Sequence, residues 1–209
     1  IGIYRSGKYS LKEIRELRPV FFLAILDILK VGSVAFHLNF QSKPFHEQYF
    51  PKLDNLLESL DADININNAI PFYFVYALLA SDRAKEIFNE KHICLVHSAP
   101  PDVRAKIEKN LFKHLNVAQI SWLKISAERS FYDTIELEKI PDCDVLFIGG
   151  GIGKANLFSQ LTKFSGPIID VGFYFEVWRE PDNKFKRVYC ASDNDWAMRG
   201  IKNVFDEGI

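Results

Sequence analysis

Cysteine is scarce in this sequence, and no stretch of it stays apolar for long. The three cysteines, Cys94, Cys143 and Cys190, are far apart and odd in number. They argue against a disulfide or metal framework and read as small apolar core residues in a reducing cytosol. The longest apolar run, residues 20–26, is too short to span a bilayer, and Asp27 interrupts its continuation. An excess of one charge is also lacking: 26 Lys plus Arg face 27 Asp plus Glu. No Lys/Arg cluster is interleaved with aromatics, so nucleic acid is not an expected partner. No signal-peptide pattern is visible, although the chain begins at Ile1 and the native N-terminus is expected upstream. The expected location is cytoplasmic. Internal repeats and low-complexity tracts are absent.

What is present is enough apolar material for one core. The chain has 209 residues, 48% hydrophobic and 14% aromatic, which suits a single α/β domain with a helical annex. Residues 1–90 read as mostly helical. Helical pattern covers 11–30, with Pro19 ending one helix or opening the next. Residues 31–40 read as a short strand, 46–60 as an amphipathic helix interrupted by Pro51, and 71–90 as one or two helices, with Asp82 as a cap. From residue 91 strands and helices alternate. Strands are expected at 93–96, 118–125, 145–148 and 167–172, with a last one at 186–191. Helices are expected at 102–115, 130–140 and 154–163. The alternation predicts a Rossmann-like, doubly wound, mainly parallel sheet over 91–209. Its ligand site should lie beyond the C-terminal strand ends. Those ends carry His97, Ser98, Lys124, the Gly149–Gly153 turn and Asp170 to Gly172.

The Gly149-Gly150-Gly151-Ile152-Gly153-Lys154 turn follows an apolar run without alternation, as in a strand buried on both faces. Glycines there permit a sharp turn and close approach of a ligand, and the helix that follows favours an anion. The spacing lacks one residue of the dinucleotide fingerprint, and Ala155 replaces the Ser or Thr of a Walker loop. The turn fits the first methyltransferase motif as text. Its late position, after two strand–helix units, argues against both that reading and a dinucleotide site.

Asp170 ends a strand, where its carboxylate can bind a hydroxyl or cap a loop. Glu176 is a second acid nearby. His97 and Ser98 follow a strand and can contact a phosphate or substrate, but no nucleophile-elbow pattern surrounds Ser98. His37, His46, His92 and His114 show no metal-ligand spacing, so no metal site is expected. Asp61-Ala62-Asp63 looks like the Asp-x-Asp of many glycosyltransferases. With Asn65 and Asn67 it also suggests half a calcium loop. Ile66 and Phe72 stand where glycine and glutamate are required, and an ordinary loop is the preferred reading.

Residues 91–178 resemble the GT-D-type glycosyltransferase fold. The matching pieces are Asp144-Val145-Leu146-Phe147-Ile148-Gly149, then 151–157, then Ile169-Asp170-Val171-Gly172, then Trp178. That family also carries an N-terminal Arg-x-Gly-Asp-x-Glu motif. Its best match here is Arg5-Ser6-Gly7-Lys8-Tyr9-Ser10, which keeps arginine and glycine and replaces both acids. The resemblance implies a nucleotide-sugar as donor substrate and glycosyl transfer as the reaction, in polysaccharide or glycoconjugate synthesis. The diphosphate would lie on Gly149, Gly150, Gly151, Gly153 and Lys154, with Ser98 and Gly172 alongside. Arg5 and Lys8 would neutralise it in place of a metal. Asp170, Glu176 and His97 are the candidates for catalysis. Two alternatives stay open: an S-adenosylmethionine- or dinucleotide-binding enzyme of unusual topology, and a non-catalytic binding or assembly protein of the same shape. A homo-oligomer is compatible with all three.

Overall fold

The computed structural model describes residues 9–36, 69–71 and 73–199. The expected helix at 46–60, the Asp61–Asp63 segment, and Arg5 and Lys8 lie outside the described residues.

Helix α1 covers Leu11–Leu29. Ser10 starts it with a reciprocal capping box. Glu13 N–H donates to the Ser10 hydroxyl at 3.2 Å, and Ser10 N–H donates to the Glu13 carboxylate at 2.8 Å. Glu13 also meets Arg129 at 2.7 Å. The Ser10 bonds and then the arginine lower the Glu13 pKa to about 2. Pro19 neither ends nor opens a helix, because α1 runs through it unbroken. A proline removes one backbone donor, and a helix of 19 residues with a packed face absorbs that loss.

Strand β1 (Val34–Phe36) pairs in parallel with β2 (Ala69–Pro71). Residues 71–90 contain two helices, α2 (Phe74–Ala80) and α3 (Asp82–Phe88). Ser81, not Asp82, is the N-cap of α3, and Asp82 sits in its first turn, where a negative charge complements the helix dipole.

The main sheet has four parallel strands: β3 (His92–His97), β4 (Gln119–Lys124), β5 (Val145–Ile148) and β6 (Ile168–Asp170). Their spatial order is β4-β3-β5-β6. The crossovers carry α4 (Pro101–Leu115) between β3 and β4 and α5 (Lys154–Gln160) between β5 and β6. Helices α6 (Tyr174–Arg179) and α7 (Asp193–Met198) follow. This is the Rossmann-like α/β arrangement that the alternating pattern predicts.

Because successive strand side chains point to opposite faces, β3 and β5 feed two cores. Ile93, Leu95, Val145 and Phe147 pack with Ile107, Leu111 and Leu115 of α4 and with Trp178 of α6. Cys94, Val96, Leu146 and Ile148 pack on the other face with Leu157 and Leu161. Helix α1 lies against α5 on that second side. Trp178 stacks on Phe147 with centroids 5.8 Å apart and planes 7° apart. Burial pushes the Cys94 thiol up to about 11 and the Cys190 thiol up to about 12, so both stay protonated core residues.

Two expected elements are absent. Residues 130–140 form no α-helix but two short 3-10 turns, Ser130–Tyr132 and Leu137–Lys139. Side chains from elsewhere bind this backbone: Tyr9 receives Phe131 N–H at 2.9 Å, while Gln160 receives Ile135 N–H at 2.8 Å and Asn156 donates to the Phe131 carbonyl at 2.8 Å, two groups that a helix would pair with each other. Residues 186–191 form no strand. They lie in 3-10 turns Pro181–Lys186 and Val188–Cys190. Cys190 N–H bonds locally to Arg187 O, and the Cys190 carbonyl accepts the Tyr174 hydroxyl at 3.2 Å. Helix α5 ends at Gln160 rather than at 163.

The Glu13 carboxyl titrates lower in the folded chain than unfolded. Its stabilisation is therefore fully present above about pH 4.5 and is lost as pH falls towards 2. Glu13→Gln should be less stable than the parent at pH 7. The difference should shrink between pH 4.5 and 2, as read by circular-dichroism unfolding curves.

Candidate functional site at the carboxyl ends of the strands

The strand order makes β3 and β5 neighbours whose connections leave in opposite directions. That crevice is where open α/β sheets bind ligands. Its floor is the turn after β5, tied to β3 by Gly149 N–H donating to Val96 O at 3.0 Å. A 3-10 turn, Gly151–Gly153, then leads into α5.

Most of the glycines here are explained by neighbours packed on the turn. A Cβ on Gly149 would stand 2.5 Å from the Phe175 ring and 2.8 Å from His97. On Gly150 it would stand 2.6 Å from Leu157. On Gly153 it would stand 2.5 Å from Phe131 N. The Ser130 hydroxyl donates to the Gly150 carbonyl at 2.7 Å and fastens the two turns together. Gly151 differs. It is exposed and has φ of 55°, the left-handed region that favours glycine.

His97 at the end of β3 stacks on Phe175, with centroids 4.1 Å apart. Its Nδ1 accepts Ala99 N–H at 3.1 Å, so the ring proton sits on Nε2. Burial, then the charges of Arg104 and Arg179, lower its pKa to about 4. In this state His97 presents a hydrogen-bond donor at Nε2, while its Nδ1 lone pair is engaged by Ala99 N–H. Ser98 is half-buried beside it. The stack covers the Gly149 end of the crevice.

The open chemistry lies one strand over. Lys154 Nζ donates to Asp170 Oδ2 at 2.6 Å, joining the residue after the glycine turn to the end of β6. Desolvation works against the Lys154 charge, but the Asp170 charge and hydrogen bond outweigh it and raise the lysine pKa. The ammonium is therefore retained at neutral pH. Asp170 Oδ1 has no hydrogen-bond partner among the described residues. Gly172 follows with φ of 39°, and a Cβ there would stand 2.8 Å from the Tyr76 hydroxyl oxygen.

Glu176 is on α6 and pairs with Arg179 of the same helix. No ion pair or hydrogen bond joins it to Lys154 or Asp170 among the described residues. No group of three metal-ligating side chains occurs among the described residues, and no described helix is long and apolar enough to cross a membrane. Tyr9, which follows Lys8, is buried against the turn through Phe131 N–H. Sequence reasoning missed Tyr76 and Ser130. Neither carries a motif, and only the fold brings them to this edge.

A scan against protein-family models, a search of curated proteins and a search of solved structures each returned no match. The fold defines the class: an α/β protein built on a four-stranded, all-parallel, Rossmann-like sheet.

Gly153→Ala should lower stability by about 1–3 kcal/mol through overpacking against Phe131. Gly32→Ala, whose new Cβ meets only ordinary contact at 3.6 Å from the Ile28 carbonyl, should lose nothing. Urea midpoints of the two variants check this. For His97 the unfolded imidazole protonates near 6.5 and the folded one only near 4. Stability should therefore fall as pH drops through that window. In His97→Asn the fall between pH 7 and 4.5 should be shallower in the same unfolding assay.

Proposed function

We propose that this protein binds a nucleotide-sugar and acts as a glycosyltransferase in polysaccharide or glycoconjugate synthesis. The observation that carries the reading is the hydrogen-bonded Lys154–Asp170 pair beside the exposed Gly151 turn. The resemblance to the GT-D-type fold rests on those same segments. An ammonium at this place neutralises charge on a departing diphosphate, and it has donors to spare beyond the one Asp170 uses. Asp170 Oδ1 is available to a sugar or ribose hydroxyl. In the transfer, the bond from the anomeric carbon to the diphosphate oxygen breaks. A bond to the acceptor hydroxyl forms, and that hydroxyl's proton passes to a carboxylate. Asp170, at the strand end beside Lys154, is better placed for this than Glu176, which has no bond to Lys154 or Asp170 among the described residues.

One observation favours a second reading. Asp170 ends the strand next to β5, the relation by which a dinucleotide or S-adenosylmethionine site holds ribose. The lysine already on Asp170 Oδ2 makes this the weaker choice. Retention of either cofactor on purification would favour it. A chain that binds a nucleotide-sugar without consuming it would be a binding or assembly protein.

Calorimetric titration with a panel of nucleotide-sugars tests the proposal. One member should bind, and Lys154→Gln should weaken it by about tenfold or more, the loss of one charged hydrogen bond. If none binds at millimolar concentration, the donor assignment is wrong.

A further inference from the structure

Lys154 alone is a sparse cradle for a diphosphate, and Asp170 already takes up part of its charge. A second group of side chains stands across Gly172 from it. Tyr76 of α2 receives Phe173 N–H at 3.4 Å. Its own hydroxyl proton has no acceptor among the described residues. Arg187 lies past α6 and is exposed, and its guanidinium rests 4.4 Å over the Phe173 ring. It has no ion pair among the described residues. A Cβ on Gly172 would stand 2.8 Å from the Tyr76 oxygen and 3.4 Å from Asp170 Oδ1, the neighbouring Phe173 carries Arg187, and Lys154 bonds Asp170. Four polar groups from four segments of chain thus surround the end of β6.

Two features suit this group to an anion. Gly172 lacks the side chain that would displace the Tyr76 oxygen. Phe173 holds the Arg187 guanidinium by its face, which leaves the guanidinium edge free for the two-pronged hydrogen bonds this group makes to phosphate. Burial raises the Tyr76 pKa, so its hydroxyl remains a donor.

We propose that Tyr76 and Arg187 form the second wall of the diphosphate site, donating to one phosphate while Lys154 donates to the other. The inference rests on the nucleotide-sugar reading and adds to it the residues that distinguish a diphosphate from a monophosphate. Neither residue belongs to a motif, and they reach this edge from either side of the four-stranded sheet in the sequence.

The test is calorimetry at fixed ionic strength with inorganic pyrophosphate, uridine diphosphate and uridine monophosphate. The proteins are the parent chain, Arg187→Gln, Arg187→Lys, Tyr76→Phe and the control Arg83→Gln. Arg83 is exposed on α3 and pairs with Glu86, so its loss changes net charge equally but far from any role proposed here. Arg187→Gln should weaken both diphosphate probes about tenfold, and Tyr76→Phe about threefold. Monophosphate binding should change less. Arg187→Lys should recover part of the loss, and Arg83→Gln should leave binding unchanged. Equal melting temperatures of Arg187→Lys and Arg187→Gln separate lost contact from lost folding. If the parent binds the diphosphates and both Arg187→Gln and Tyr76→Phe bind them equally well, this inference fails and the donor reading stands. Equal weakening by Arg83→Gln and Arg187→Gln would overturn it too, as a net-charge effect. If the parent binds neither diphosphate, both fall together.

Discussion

The carboxyl edge of this sheet depends on one steric constraint: the chain leaving β5 carries almost no side chains. Gly149 accepts the Phe175 and His97 rings, Gly150 accepts Leu157, and Gly153 accepts the Ser130–Phe131 backbone. Helix α6, helix α5 and the turn after β4 all converge on a few residues of bare backbone. The Ser130 hydroxyl on the Gly150 carbonyl adds a directional bond to what is otherwise contact packing. A turn held from three sides is rigid, and rigidity at a strand end keeps Lys154 and Asp170 in register.

The same packing decides where a ligand can sit. The topology points to the crevice between β3 and β5, yet the His97–Phe175 stack covers its floor at Gly149. The exposed part of the turn is Gly151, and the polar side chains beyond it belong to β6 and its neighbours. The candidate site is therefore displaced by one strand from the position that strand order alone suggests. Asp170 and Lys154, sixteen residues apart, become its centre.

The parallel sheet was legible because its two central strands, β3 and β5, are short apolar runs buried on both faces, and such runs have few other fates. Val145 to Ile148 is the clearest of them. The amphipathic period of 102–115 was legible for a related reason, since one stripe of α4 is fully buried. What escaped the sequence was local structure dictated from a distance. Residues 130–140 have helical spacing, but Gln160 and Asn156 take the Ile135 N–H and the Phe131 carbonyl that a helix would pair. Nothing within the segment announces this. The glycine turn was visible as a special backbone. Its partners were not, so close approach by a ligand could not be told from close approach by Phe175 or Leu157. Tyr76 and Arg187 were invisible as a pair because 111 positions of sequence separate what the fold sets side by side.

The bond from Phe131 N–H to the Tyr9 hydroxyl closes a separation of 122 residues. During synthesis at about 5–20 residues per second, roughly 6–24 s pass between the two ends of that bond. Helix α1 also needs α5, which is made later still. Helix α1 is thus made before the partners it docks on, and Val20 and Leu23 remain exposed even when it has docked. For those seconds its apolar stripe is uncovered, which makes nascent α1 a natural client for chaperones that shield newly made chains.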